Sequence, residues 1–121
     1  MVIFVGRLLI AALFVVSGIW KITHFAITTA YFTRVGLPAA EATSVIAIII
    51  ELGGGIMLAV GWRARTVAWV LALFVLVATG IGHRFWEVDP AQFFNQLNHF
   101  LKNLAIVGGL LIIGSLGKSR P

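Results

Sequence analysis

Four long runs of apolar residues, separated by short polar connections, dominate the chain. Each run approaches the ~20 residues that an α-helix needs to cross the hydrocarbon of a lipid bilayer. The pattern predicts membrane-spanning helices over about residues 2–22, 39–61, 65–83 and 93–116. Because these runs fill nearly the whole chain, we expect a single domain over residues 1–121, an all-α, polytopic four-helix membrane bundle.

The connections between the runs indicate how the helices are arranged. The link Gly61–Arg65 is very short, so the second and third helices should be antiparallel neighbours. The link His24–Leu37 is longer, aromatic and weakly amphipathic, and it ends in a Gly-Leu-Pro turn before the second helix. The link His83–Gln92 contains Trp86 and an Asp-Pro break.

Composition supports a membrane protein and excludes several other classes. Charged residues make up 11% of the chain and hydrophobic residues 60%, whereas a soluble domain usually has about 25% charged residues. Because there is no cysteine, the chain itself cannot form disulfides, thiolate nucleophiles or cysteine-ligated metal sites. The net charge of +5 comes from single basic residues near helix ends, a pattern typical of membrane topology and not of nucleic-acid binding.

Four helices place both termini on one side of the membrane. The basic residues on that side are Arg7, Arg63, Arg65, Lys118 and Arg120. The opposite side carries Lys21, Arg34, Arg84 and Lys102, of which Lys102 falls within a predicted helix. Since short cytoplasmic loops are enriched in Lys and Arg, we expect both termini in the cytoplasm.

Glu51 is the sole ionisable residue in the inner part of the second apolar run. A carboxylate there costs at least ~2.5 kcal/mol on insertion scales, so it must face protein, a cation or water. Helical spacing puts Ser44 and Ala47 on the same face, and small residues allow another helix to approach closely. Two interpretations stay open: a buried ion pair with Arg7 or Lys102 that fixes helix packing, or a carboxylate that binds a proton or a ligand.

Basic residues stand at both ends of one face of the first helix. Arg7 and Lys21 share this face with the small residues Ala11 and Gly18. The simplest interpretation is that both side chains reach the opposite interfaces of the membrane. Arg7 lies deeper than that role requires, so a position inside the bundle stays equally open for it.

The fourth helix begins with a polar stripe formed by Asn95, His99, Lys102 and Asn103. The stripe predicts either the wall of a polar cavity open to the outer side or an interfacial turn before the true span. His24, His83 and His99 all fall on that outer side, but whether they converge depends on helix rotation. Their spacings match no compact metal motif, so we predict no metal site, although a histidine there could donate to a quinone carbonyl.

Several segments in order resemble the DoxX family of small bacterial membrane proteins. They are GRLLIAALFVVSGIWKI (Gly6–Ile22), the turn YFTRVGLP, ELGGGIMLAVGWRAR (Glu51–Arg65), IGHRFW (Ile81–Trp86) and HFLKNLAIVGGLLI (His99–Ile112). The resemblance covers essentially the full chain and implies a multi-pass protein of the bacterial inner membrane. The residues that fall on the family pattern are Arg7, Lys21, Glu51, His83, Lys102 and Asn103. The family implies no catalytic mechanism for them.

The resemblance implies a link to redox chemistry, because some relatives accompany respiratory quinone oxidation and others associate with oxidative-stress enzymes. In a quinone-binding subunit, His99, Lys102 and Asn103 could polarise a carbonyl. Glu51 could relay a proton within the bilayer. A quinone is the one cofactor that this chemistry suggests. The chain has no evident flavin motif and no cysteine-bound cluster, so a partner enzyme or another cofactor must supply electrons.

A non-catalytic anchor, assembly or scaffold subunit is the alternative. It needs only a stable bundle, in which Glu51 and Lys102 are packing residues. Partners would then dock through the helices or the outer loops. A homo-oligomer is compatible with either function, and it would be required for transport, since four short helices make a poor pathway. Whether the protein is an enzyme stays open, although a complete oxidoreductase is not expected.

Overall fold

The computed structural model of the protein describes residues 1–82 and 85–116. Its α-helices are α1 (Val2–Thr23), α2 (Phe25–Arg34), α3 (Ala40–Ile48), α4 (Gly54–Val60), α5 (Ala64–Gly82) and α6 (Pro90–Gly114). A π-helical turn, Ile49–Gly53, joins α3 to α4 without interruption, and a short 3₁₀ turn, Phe85–Glu87, precedes α6. His83, one of the predicted site residues, lies outside the described residues.

Four helical stretches within the described residues are long and apolar enough to cross a membrane. They are Val2–Thr23, Ala40–Val60, Ala64–Gly82 and Pro90–Gly114. The prediction of an all-α, four-helix membrane bundle is therefore confirmed. Many large apolar side chains are exposed on the outside of the bundle, as expected where lipid takes the place of water.

The first two spans pack through glycines. A Cβ on Gly18 of α1 would lie 3.0 Å from the Cβ of Leu52, and a Cβ on Gly55 would lie 2.9 Å from Cγ2 of Val15. Along α1, residues closer to the N-terminus meet residues further along the second span, so the two spans are antiparallel. Small residues permit this approach, as is usual in membrane helix packing.

The last two spans are also antiparallel, and side-chain hydrogen bonds join both ends of their contact. The Trp69 indole Nε1 donates to the Gly114 carbonyl at 3.1 Å, while the Asn103 amide donates to Thr79 Oγ1 at 3.0 Å. Gly114 therefore lies at the same end of the bundle as the 61–63 turn and the start of α1. We call this the terminal end, and we call the end that carries α2 the distal end.

The connection between the first and second spans is a helix of its own. α2 begins directly after His24, and Thr28, which is only 4% exposed, anchors it to the bundle. A turn follows in which Gly36 has a φ of +92°, the left-handed region that favours glycine. The weakly amphipathic pattern was thus the sign of a short helix that packs against α3.

α6 begins at Pro90, three residues before the predicted start. Pro90 occupies the first helical turn, where a missing backbone N–H removes no helical hydrogen bond, so the Asp-Pro pair starts the helix. Because Asn103 is level with Thr79, roughly the first ten residues of α6, about 15 Å, extend beyond the distal end of α5.

Candidate functional site

A cavity of about 700 Å³ occupies the distal half of the bundle, beneath α2. Residues of α1, α2, α3, the π-helical turn, α5 and α6 form its wall, and most of this wall is apolar. The charged and polar side chains in the wall are Lys21, Thr28, Tyr31, Arg34, Thr43, Glu51 and Asn103. A large apolar space with a few polar groups is the usual form of a small-molecule site.

Lys21 and Glu51 form an ion pair at the wall of this cavity. The Lys21 Nζ lies 3.0 Å from Oε2 and 3.1 Å from Oε1 of Glu51, and it also donates to Ser17 Oγ at 3.0 Å. Glu51 is 4% exposed, whereas the Lys21 side chain is 20% exposed. The pair compensates the charge of a carboxylate that could not stay in lipid alone.

The π-helical turn Ile49–Gly53 positions the carboxylate. Such turns are rare, hold an extra residue inside a helix, and often lie at functional sites. Here the turn contains Glu51 and ends at Gly53, the first of three consecutive glycines. Its Leu52 touches Gly18, and this contact brings the α1 backbone close enough for Lys21 to reach Glu51.

The small-residue face of the second span points into the bundle. Ser44, Ala47 and Glu51 are all buried, and Ala47 and Glu51 both contribute to the cavity wall. A carboxylate on this face is thus surrounded by protein and not by lipid. Glu51 therefore lies where a molecule in the cavity can reach it.

Asn103 is the cavity residue that α6 contributes. Its amide Nδ2 donates to Oγ1 of Thr79, which is 2% exposed, so a buried hydroxyl of α5 orients the amide. An amide has two N–H donors and a carbonyl acceptor. One hydrogen bond to Thr79 leaves Asn103 able to hydrogen-bond a molecule in the cavity.

Three of the predicted site residues line the cavity: Lys21, Glu51 and Asn103. Arg7 lies at the terminal end of the bundle, where its Nη2 is 3.0 Å from the position of a Cβ on Gly61. Lys102 is exposed on α6. The expected pairing of Glu51 with Arg7 or Lys102 is therefore replaced by a pairing with Lys21.

Lys21 was expected to extend to the membrane interface, but it turns inward to Glu51. The sequence predicted which face of α1 Lys21 occupies. It did not predict that Gly18 brings the second span against this face. The buried acceptor that this packing supplies is the physical reason for the difference.

The described histidines do not line the cavity. The His24 ring stacks on Trp20 with a centroid distance of 4.2 Å and an interplanar angle of 9°. His99 is exposed on the part of α6 that extends beyond α5. Within the described chain there is no group of three or more His, Cys, Asp or Glu that could hold a metal ion.

Asn103 is the one residue of the polar stripe on α6 that lines the cavity. Asn95, His99 and Lys102 do not line it and are exposed. By contrast, three cavity residues on α2 were not predicted from the sequence: Thr28, Tyr31 and Arg34. Their spacing of three residues puts them on one helical face, and that regularity was the available signal.

Comparisons with known proteins agree with this architecture. The family model of DoxX matches residues 2–84 of the chain. The inner membrane protein YqjF of Escherichia coli (strain K12) is 35% identical over 115 residues, which cover 95% of this chain and 83% of the relative. The inner membrane protein YphA of the same organism is 25% identical over 113 residues, covering 93% and 81%. No solved structure matches the chain significantly. Four membrane-spanning helices and a match over more than half of its length show that the chain is a membrane protein of the DoxX family.

Proposed function

We propose that this protein is a quinone-binding, redox-linked subunit of the inner membrane and that the distal cavity is its ligand site. One observation carries the proposal: a cavity of about 700 Å³ with a mostly apolar wall has the Lys21–Glu51 pair in that wall. The volume falls within the ~300–1,000 Å³ of typical ligand pockets. A lipid-soluble quinone has the matching chemistry, since an apolar ring and tail carry a small number of polar oxygens.

Asn103 and Glu51 have separate roles in this proposal. The second amide N–H of Asn103 hydrogen-bonds an oxygen of the ring, while Thr79 keeps the amide oriented. Glu51, with Lys21 as its counter-ion, takes a proton from a ring oxygen when the quinol is oxidised and returns one when the quinone is reduced. Electrons come from a partner enzyme or from another cofactor, because a chain without cysteine cannot itself hold a cysteine-ligated cluster.

Cavity-filling substitutions test the site. Ala78 lines the cavity, so Ala78→Phe places a ring in the ligand volume. Ala12→Phe is the matched control, because Ala12 is exposed on α1 and does not line the cavity. Each protein is purified in mild detergent, and its lipid-soluble extract is analysed by mass spectrometry. A quinone should accompany the original protein and Ala12→Phe but should be lost from Ala78→Phe.

The proposal fails if the original protein carries no quinone and does not bind an added short-chain quinone either. Retention of the same amount of quinone in Ala78→Phe would also contradict it, because the molecule would then lie elsewhere.

A non-catalytic anchor or scaffold subunit is the second candidate. The observation in its favour is that the Lys21–Glu51 pair links α1 to the second span, a role that needs no ligand. In that case a protein partner co-purifies in constant ratio with the original protein and with Ala78→Phe, and no quinone does. Analysis of the co-purifying proteins in the same preparations separates the two functions.

A further inference from the structure

The hydrogen-bonding capacity of the Lys21–Glu51 pair is divided unequally between its members. The Lys21 ammonium has three N–H groups, and three oxygens lie within 3.1 Å of its Nζ. They are Ser17 Oγ and the two carboxylate oxygens of Glu51. Two of the three N–H groups suffice for these contacts, because the two oxygens of one carboxylate lie in nearly the same direction from Nζ. Lys21 keeps one N–H group for an acceptor atom in the cavity, whereas Glu51 keeps several lone pairs.

Glu51 has acceptor capacity to spare. A carboxylate has about four lone-pair positions, and within the described chain its hydrogen-bond donor is Lys21. Glu51 is 4% exposed and contributes to the cavity wall. A hydroxyl that enters the mostly apolar cavity leaves its hydrogen bonds to water behind, and donation to Glu51 replaces one of them.

The net charge of the Lys21–Glu51 pair limits which donor groups of a ligand Glu51 can bind. Lys21 already balances the negative charge of Glu51, so a cationic head group finds no net charge to compensate. A neutral hydroxyl meets the requirement, since an O–H group that donates to a carboxylate forms a short and strong hydrogen bond. A quinone carbonyl cannot make this bond, because it only accepts.

We infer that the cavity selects ring compounds with a hydroxyl that donates to Glu51, so that it binds a quinol or another phenol in preference to the quinone. The inference rests on the proposed function and specifies which form of the ligand the site prefers. Lys21, Arg34 and Asn103 also line the cavity and can donate to a quinone carbonyl. They do not reverse the preference, because a quinol hydroxyl accepts from the same donors and, in addition, donates to Glu51.

Two matched ligand pairs test the inference on the unchanged protein. The first pair is a short-chain ubiquinone and its quinol, with the quinol kept reduced under anaerobic conditions. The second pair is a para-alkylphenol and its methyl ether, which differ in the O–H donor and undergo no redox change. Affinities are measured by titration calorimetry in detergent. The quinol and the phenol should bind about tenfold or more tightly than their partners.

Two variants test whether the preference for a hydroxyl depends on the Glu51 carboxylate. In Glu51→Gln the side-chain amide both donates and accepts, so both affinity ratios should fall towards one. Asn103→Leu removes one of the donors that a carbonyl can use but leaves Glu51 in place, so the ratios should stay the same or increase.

Equal affinities within both pairs, or tighter binding of the quinone and the ether, would overturn the inference. The proposed function would survive that result if Ala78→Phe abolished the binding. If none of the four compounds bound, both the inference and the proposed function would fail.

Discussion

Gly18 of α1 and Leu52 of the π-helical turn are in direct contact. A Cβ on Gly18 would lie 3.0 Å from the Cβ of Leu52 and 3.1 Å from its backbone nitrogen. Three residues after Gly18, Lys21 reaches Glu51, the residue before Leu52. A glycine contact between two helix backbones therefore accompanies the ion pair of the cavity and sets the distance that its lysine must cover.

Gly18→Ala should destabilise the protein. The added methyl group meets backbone atoms of Leu52, so the helices must separate, and we expect a loss of about 1–3 kcal/mol in the free energy of unfolding. Gly6→Ala on the same helix is the control, because nothing lies within 4 Å of its Cβ position. It should change stability by less than about 1 kcal/mol. Unfolding in mixed detergent micelles measures both, and equal effects would contradict the importance of the contact.

Lys21 and Glu51 should be coupled in a double-mutant cycle. Glu51→Gln leaves the Lys21 ammonium without its counter-ion, and we expect a loss of about 2–4 kcal/mol in the free energy of unfolding, because the Lys21 side chain is 20% exposed and can recover part of its hydration. Lys21→Met alone should also destabilise. The double variant should lose clearly less than the sum of the two single losses.

Lys102→Met is the control for this cycle, since Lys102 is exposed on α6. It should change stability by no more than about 0.5 kcal/mol. Additive losses from Lys21→Met and Glu51→Gln would show that the two side chains do not interact in the folded protein.

Trp69 should stabilise the contact between α5 and α6 through its hydrogen bond to the Gly114 carbonyl. Trp69→Phe keeps an aromatic ring but removes the N–H donor, so we expect a loss of about 1 kcal/mol in the free energy of unfolding. Trp62→Phe is the matched substitution at an indole that is 58% exposed in the 61–63 turn. A larger loss for Trp62→Phe than for Trp69→Phe in the same unfolding assay would refute this role.

Cysteine labelling can determine the orientation of the protein in the membrane. Because the chain has no cysteine of its own, an introduced cysteine is its one reactive thiol. Thr33→Cys places a thiol at the exposed surface of α2, and Trp62→Cys places one at the terminal end. If the terminal end faces the cytoplasm, a membrane-impermeant maleimide labels Thr33→Cys in spheroplasts but labels Trp62→Cys only after lysis. The reverse pattern would place the cavity on the cytoplasmic side.

The four spans could be predicted from the sequence because a run of apolar residues is a local property, and bilayer thickness sets the length it requires. α2 could not be predicted with the same ease. A helix of ten residues is marginal in isolation, and burial of Thr28 beneath it helps to hold α2 in place. The predicted start of α6 lay after the observed one for a local reason, since Pro90 can begin a helix as readily as it ends one.

From the sequence alone it follows that Glu51 faces protein and needs a compensating group, because an ionised carboxylate in lipid is too costly. The sequence does not specify which group this is. Arg7, Lys21 and Lys102 all carry the required charge, and their distances from Glu51 depend on the level and rotation of helices that are distant in the chain. In the folded protein the compensating group is Lys21, because the contact between Gly18 and Leu52 brings these two helices together at that level. The same packing, with α2 above it, left a cavity against the pair where the sequence had indicated only a charged residue in an apolar run.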